Sequence, residues 1–236
     1  MLKPDDPFQR RQREREKKRK KAEKRRRRIS SSAPPAPFPL EGDGLGGLSR
    51  AVDRLFSPLG SGRLEIRSLL PSDAEAMFAY RSDPEVSRYQ NWEPASVEEV
   101  GSFIKALQGT EPPEWFQVGI ALRGTGELIG DCGFRILPGD PRQAEIGISV
   151  APAFQHRGYA LEALRILLGH LFSTLGLHRV HGSVDPRNAA SLALLRRAGM
   201  RQEAHFLESY WSKGEWTDDV VFGILEREWE EIHFSS

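Results

Sequence analysis

The feature that most constrains this chain is a short segment between two clearly patterned elements. Residues 144–150 (AEIGISV) are rich in β-branched side chains and predict a buried strand. After residue 160, leucines recur at three- and four-residue spacing as far as Leu175, which is typical of an amphipathic helix. The segment Gln155–Ala160 (QHRGYA) is therefore predicted to connect a strand to the N-terminus of a helix.

A glycine-containing loop that opens a helix is a favourable place for an anion. The first N–H groups of the helix lie at the positive end of its dipole, where phosphates bind. His156 and Arg157 add side-chain donors, and Gly158 lets the backbone approach an anion without an intervening Cβ. An ordinary connection between strand and helix has the same pattern, so the loop alone leaves both interpretations open.

The order of motifs resembles one enzyme family. Gln-x-x-Gly-x-Ala after an Ile/Val strand is similar to the pyrophosphate loop of the GNAT acetyltransferases. The rest of the chain from Arg63 to Trp229 resembles the RimJ/RimL-like branch of that family. The motifs that carry this resemblance are RLEIR at 63–67, Asp73, SDPEV at 82–86, LHRV at 177–180, DPRNAAS at 185–191, LLRRAGM at 194–200 and GEWTD at 214–218.

Local patterns predict an α/β chain with a mixed sheet. The predicted strands are Leu64–Leu69, Phe116–Leu122, Glu127–Phe134, Ala144–Val150, Val180–Val184, Arg201–Trp211 and Trp216–Leu225. The predicted helices are near Ser72–Arg81, Val97–Leu107, the stretch after Ala160, and Ala189–Ala198, which Gly199 ends with a left-handed cap. The resemblance implies a GNAT-like fold: a mostly antiparallel sheet that is flanked by helices and splays in the middle, with acetyl-CoA in the opening.

Charge divides the chain into two predicted parts. Residues 1–28 hold 15 Lys and Arg against 5 Asp and Glu, whereas the net charge of the whole chain is only +1. Residues 1–62 are therefore predicted to be a disordered basic tail followed by a Ser-, Pro- and Gly-rich linker, and residues 63–232 an acetyltransferase domain. The tail is interpreted either as a segment that binds RNA or the ribosome, or as an extension without function, translated from a start codon too far upstream.

The remaining composition favours an intracellular enzyme. A single cysteine, Cys132, excludes an intramolecular disulfide, and its apolar surroundings predict a buried structural thiol. The longest apolar stretch, residues 163–172, contains Arg165 and His170 and is too short to span a membrane. We therefore expect a cytoplasmic monomer or homodimer. His178 and His181 lack further ligands at metal-binding spacing, so no metal is predicted.

The resemblance assigns residues to acetyl-CoA. The pyrophosphate is expected on the loop formed by Gln155, His156, Arg157, Gly158, Tyr159 and Ala160. Backbone groups of Ile148 and Val150 are expected to hold the pantetheine arm, and the Val150 N–H is the candidate donor to the oxyanion. Ordinary sheet pairing is the alternative role for both residues.

Two residues after the next strand have competing interpretations. Asn188 is placed to cap a helix, and Ser191 then lies in the first turn of that helix. The resemblance instead implies that Asn188 contacts the CoA arm while also capping. It also implies that Ser191 protonates the departing thiolate, directly or through water, which needs only a weak acid because a thiol has a pKa near 8.5.

The general base is the least defined role. Glu145 matches an acidic position of the branch, although strand alternation also allows a structural role. RimL-like members carry a Glu four residues before the hairpin glycine, where this chain has Tyr210. Glu208 lies two residues earlier and, by alternation, on the same strand face.

The absence of a strong base favours a weakly basic acceptor. An α-amino group has a pKa near 8, against about 10.4 for lysine, and so needs less help to become neutral. The main prediction is an N-acetyltransferase that transfers acetyl from acetyl-CoA to a primary amine, such as a protein N-terminus. The alternative is a non-catalytic adaptor that binds acyl-CoA or is tethered to RNA.

Overall fold

A mixed eight-stranded sheet forms the centre of the computed structural model, which describes residues 59–107 and 115–234. The strands are β1 (Leu59–Gly60), β2 (Leu64–Arg67), β3 (Phe116–Leu122), β4 (Leu128–Leu137), β5 (Asp140–Val150), β6 (Arg179–Val184), β7 (Arg201–Ser212) and β8 (Glu215–Leu225). The α-helices of the described residues are α1 (Ala74–Arg81), α2 (Pro84–Ser87), α3 (Val97–Leu107), α4 (Tyr159–Ser173), α5 (Ala189–Arg197) and α6 (Glu226–Phe234). The predicted basic tail and most of its linker lie outside the described residues.

The sheet opens between two of its central strands. The strand order is β1-β2-β3-β4-β5-β6-β8-β7, and every neighbouring pair is antiparallel except β5 with β6. β5 and β6 pair over three residues, and the last pair is Glu145 with His181. Beyond that pair the strands diverge. The predicted mixed sheet, mostly antiparallel and splayed in the middle, is confirmed.

Apolar side chains pack on both faces of the sheet. On one face, α4 buries Leu164, Leu167, Leu168 and Leu171 against the sheet, each at most 1% exposed. On the other face, α1 and α3 form a second cluster that includes Met77. The result is a three-layer arrangement in which the divergence of β5 and β6 lies between two helical layers.

Several predicted bounds agree with the structure, and some elements were missed. α3 and β3 have the predicted ends, and Gly199 has the predicted left-handed backbone, with φ of +91°. The predictions missed β1, α2 and α6, and they made β4 and β5 too short. In α6, Trp229 packs against Phe172 with ring centroids 6.1 Å apart, so this last helix belongs to the core.

Cys132 is buried within β4, as predicted. Burial raises the pKa of its thiol, so Cys132 is a poor nucleophile. Within residues 59–107 and 115–234, no helix combines the length and apolar character needed to cross a membrane.

Candidate active site

A cavity of about 1340 Å³ lies where β5 and β6 diverge. Its floor is formed by residues 145–149 of β5 and residues 181–185 at the end of β6. The first turn of α5 contributes Asn188 and Ser191. The remaining walls come from the α1–α2 segment and from the β7–β8 hairpin. The side chains from these two walls include Arg81, Tyr89, Trp92, Tyr210, Lys213, Glu215, Asp218 and Asp219.

The backbone of β5 presents hydrogen-bonding groups to this opening. The Ala151 N–H donates to the Ile129 carbonyl at 2.8 Å, and the pairing register from there is regular back to Glu145. In an antiparallel pair, alternate residues bond to the partner strand, so the peptide groups of the residues between them face the other way. Ile148 and Val150 are among those residues. Their N–H and C=O groups therefore face the opening, as the sequence predicted.

The predicted phosphate loop has the backbone geometry of a helix N-terminus. Gly158 is the N-cap of α4 with φ of +82°, and His156 also has a positive φ of 59°. The first N–H groups of a helix have no partner within it, so the amides from Gly158 onward are donors to an external ligand. The Gln155 side chain donates to the Val150 carbonyl at 2.9 Å and thereby fixes the loop to the end of β5.

Arg63 holds this loop from the other side, a role that sequence reasoning missed. Its Nη1 donates to the Arg157 carbonyl at 3.2 Å, and its guanidinium lies 4.7 Å from the centre of the Tyr159 ring. Its Nε donates to Glu162 at 2.7 Å. Burial raises the pKa of Glu162, but the hydrogen bonds from Ser61 and Arg63 outweigh burial and leave that pKa below its ordinary value. The pair therefore stays charged at neutral pH and fixes the loop.

Asn188 caps α5, and Ser191 lies in its first turn. The Asn188 Oδ1 accepts the Ser191 N–H at 3.0 Å. The structural interpretation of this pair is therefore correct. It does not exclude the other one, because both residues line the cavity and the cap uses only the Asn188 oxygen and the Ser191 backbone.

The two acidic candidates have different positions. Glu145 lines the cavity, and its Oε2 accepts a hydrogen bond from Arg135 Nε at 2.9 Å and is ion-paired with Arg135 Nη2 at 2.7 Å. Glu208 lies in a bulge of β7 with φ of 44°, and its N–H donates to Asp218 at 2.9 Å. Alternation cannot be extended across this bulge, so the argument that put Glu208 on the same face as Tyr210 fails. Only Tyr210 is among the cavity residues.

A buried polar network supports one wall of the cavity, and no sequence motif indicated it. Asp131 is completely buried and accepts hydrogen bonds from the Tyr80 hydroxyl at 2.6 Å and from Arg81 Nε at 3.1 Å. Gln117 also donates to this carboxylate. Arg81 and Gln117 line the cavity, so Asp131 fixes two of its polar side chains.

Comparison with known proteins identifies the family. The model of the acetyltransferase (GNAT) domain family matches residues 63–201, which is more than half of the chain. The chain belongs to the GNAT acetyltransferase family. It is also 34% identical to the uncharacterized N-acetyltransferase YoaA of Bacillus subtilis over 73% of this chain and 98% of YoaA.

The chain is also similar to a ribosomal and to a spermidine N-acetyltransferase. The putative ribosomal N-acetyltransferase YdaF of Bacillus subtilis is 29% identical over 71% of this chain and 93% of its own. Mycobacterium smegmatis RimJ, solved with CoA-disulfide, has a TM-score of 0.61 at 24% identity over 70% of this chain and 83% of its own. Spermidine N-acetyltransferase from Vibrio cholerae, solved with CoA and spermine, has a TM-score of 0.63 at 22% identity over 72% of this chain and 99% of its own.

Family membership establishes the reaction class of this GNAT protein. It is an acetyl-CoA-dependent N-acetyltransferase, and its relatives acetylate amines. Nothing in these relatives favours the non-catalytic adaptor.

Proposed function

We propose that this GNAT enzyme acetylates the α-amino group of a protein N-terminus. The observation that carries the proposal is the charge balance of the cavity. Four of the six carboxylates that line it are ion-paired with arginine or lysine of the described chain. The pairs are Glu145 with Arg135, Asp185 and Glu215 with Arg187, and Glu93 with Lys213.

This balance favours a peptide over a polyamine. A polyamine carries several ammonium groups and binds best where carboxylates have no cation nearby. A peptide N-terminus brings one ammonium group followed by neutral amides, and an ion-paired wall can hydrogen-bond to those amides without strong selection for charge.

The chemistry of the acceptor supports the same choice. An α-amino group with a pKa near 8 is partly neutral at physiological pH, whereas the amines of lysine and polyamines are almost fully protonated. Tyr210 occupies the position where RimL-like members carry a glutamate, and Glu208 is not among the cavity residues. A site with few free carboxylates has few groups that can remove a proton from the acceptor. It therefore suits an α-ammonium group, which loses its proton more readily than the ammonium groups of lysine and polyamines.

Most of the predicted site residues have a proposed part in this reaction. The N–H groups at 158–161 and Arg157 bind the pyrophosphate, and the inward-facing peptide groups of Ile148 and Val150 hold the pantetheine arm. The Val150 N–H also donates to the carbonyl oxygen as negative charge develops there. Asn188 orients the arm, and the Ser191 hydroxyl supplies the proton that the departing thiolate takes up.

The acceptor proposal is tested by competition between amines. We expect short peptides with a free N-terminus to have a kcat/KM at least about tenfold above that of spermidine at neutral pH, which corresponds to about 1.4 kcal/mol. CoA release measures the rate, and mass spectrometry of the product locates the acetyl group. N-terminally blocked peptides with an internal lysine are the matched control. Preferential acetylation of spermidine or of the lysine would contradict the proposal.

The same proposal extends to the N-terminal tail. We infer that residues 1–28, with a net charge of +10, bind RNA or the ribosome and bring the enzyme to nascent or ribosomal proteins in the cytoplasm. The rest of the chain carries about −9, so it repels the same polyanion. The charge of the tail alone supports this part of the proposal.

Deletion of residues 1–50 is expected to remove RNA binding and leave turnover of a small amine unchanged. The deletion spares β1 and every described residue, so the fold keeps its core. Filter binding at a series of salt concentrations measures the affinity, which should fall steeply with salt for the full chain because binding releases counterions. RNA affinity that survives the deletion rules out the tail as the binding segment.

A further inference from the structure

His181 occupies the point from which the two central strands diverge. It pairs with Glu145 as the last residue of the parallel β5–β6 ladder. The preceding residues of each strand, Ala144 and Val180, are fully buried in the core on the α4 face. Because side chains alternate along a strand, Glu145 and His181 project to the opposite face, and both line the cavity. The imidazole therefore lies on the face of the sheet opposite α4, where it lines the cavity.

The surroundings of the ring favour its neutral form. Its Nδ1 is buried and makes no hydrogen bond with any residue in the described ranges. Burial lowers the pKa of His181 below its ordinary value of 6.5, and the nearby Arg179 and Arg135 lower it further. The Glu145 carboxylate and the Ala144 carbonyl act in the opposite direction but do not outweigh burial.

The elements packed around the ring bring few other charges. Gly223 of β8 lies opposite His181 and contributes no side chain. Glu203 of β7 extends into the space beside Gly223 and is ion-paired with Arg179 at 2.5 Å. The net result is an imidazole that is unprotonated at neutral pH and therefore able to accept a proton.

We propose that His181 is the base that takes the proton from the acceptor amine, and that Glu145 stabilises the charge that then forms on the ring. One oxygen of Glu145, Oε2, is engaged by a hydrogen bond from Arg135 Nε and an ion pair with Arg135 Nη2, so fewer of the carboxylate's lone pairs are available to a substrate. Its negative charge still lies beside His181 and favours the imidazolium. This gives Glu145 the role of an electrostatic partner rather than of the base.

This proton transfer needs only groups that are already described. It rests on the acetyl transfer that the family performs. The lone pair of the amine attacks the thioester carbonyl carbon, and a C–N bond forms. The amine proton passes to Nε2 of His181, directly or through one water molecule, because Nδ1 is buried. The C–S bond then breaks, and the thiolate takes a proton from Ser191 or from solvent. Ser191 regains its proton from solvent, and the His181 imidazolium releases its proton to solvent.

The test compares His181→Gln with His178→Gln. His178 is exposed and does not line the cavity, so its variant is the matched control. We expect His181→Gln to lower kcat/KM about 100-fold or more, within the usual range for loss of a general base, with the acetyl-CoA Kd unchanged. His178→Gln should match wild type.

The pH dependence gives an independent readout. In the wild type, the acidic limb of kcat/KM should have a midpoint below about 6.5, and NMR titration of the ring in the acetyl-CoA complex should give the same value. Glu145→Gln should move this midpoint lower, because it removes the carboxylate that favours the imidazolium. The proposal is overturned if the ring titrates at or above 6.5, or if the acidic limb survives in His181→Gln and disappears in Glu145→Gln.

The outcome is separable from that of the acceptor proposal. A wrong acceptor appears as poor turnover of peptides by the wild-type enzyme, whichever amine proves to be the better acceptor. If His181 is not the base, the wild type and His181→Gln should turn over the preferred amine at the same rate, whether that amine is a peptide or a polyamine.

Discussion

Replacing Gly158 with aspartate should abolish detectable acetyl-CoA binding, a loss of at least about 100-fold or 2.7 kcal/mol. Gly158 has φ of +82° at the N-cap of α4, a conformation that costs other residues free energy. An aspartate at an N-cap accepts hydrogen bonds from the first helical N–H groups. Its carboxylate would therefore occupy the donors that the pyrophosphate needs and would repel the pyrophosphate as well. Isothermal titration calorimetry measures the effect.

Two further glycine variants separate the effect of the carboxylate at position 158 from the effect of adding a Cβ there. Gly158→Ala adds only a Cβ, which would lie 3.6 Å from the Arg63 guanidinium in ordinary contact, so its binding loss should be several-fold at most. Gly176→Asp changes another glycine of positive φ, beyond the far end of α4, where a Cβ meets nothing within 4 Å. It should bind acetyl-CoA normally. Unchanged affinity in Gly158→Asp would remove the loop from the cofactor site.

Replacing Asp131 with asparagine should lower the free energy of unfolding by about 3–5 kcal/mol. The carboxylate is 0% exposed, and the substitution leaves the buried Arg81 guanidinium, in a residue that is 8% exposed, without its counter-charge. Domains of this size are usually stable by only about 5–15 kcal/mol, so the variant should unfold at a much lower urea concentration. Equilibrium urea denaturation followed by circular dichroism measures the difference.

Two variants provide the controls: one breaks an exposed ion pair, and the other removes the unpaired buried charge as well. Asp140→Asn breaks an exposed pair with Arg142, at 2.9 Å, and should change the unfolding midpoint little, because solvent screens exposed pairs. Combining Asp131→Asn with Arg81→Met removes the buried charge and should recover part of the lost stability. If Asp131→Asn alone unfolds like the wild type, the network does not hold the wall of the cavity.

The sequence predicted those parts of the fold that local patterns determine. Val97–Leu107 and Phe116–Leu122 have the predicted ends because an amphipathic repeat and a β-branched run reveal themselves within a few residues. α6 was missed although Leu225, Trp229 and Ile232 follow helical spacing, because the preceding strand runs directly into it. The bulge of β7 was missed because its sequence alternates regularly, and only pairing with β8 shows the shift in register.

The parts of the site that depend on distant contacts were not predictable. The loop that opens α4 and the cap at Asn188 are local structures, and their motifs predicted them. Arg81 and Asp131 are 50 residues apart, and neither belongs to a motif. His181 was considered only as a metal ligand, because its pairing with Glu145 depends on where two strands meet.

The irregular edge of the sheet has a consequence for the behaviour of the protein in concentrated solution. β7 is an edge strand, and the β7–β8 hairpin exposes five large apolar side chains, namely Phe206, Leu207, Tyr210, Trp211 and Trp216. A straight edge with such side chains is a template for pairing with a second chain and for aggregation. The bulge at Glu208 breaks that template, because the backbone turns to a positive φ in the middle of the strand. We therefore expect the distortion that removes Glu208 from the regular strand to make this edge a poor template for intermolecular sheets.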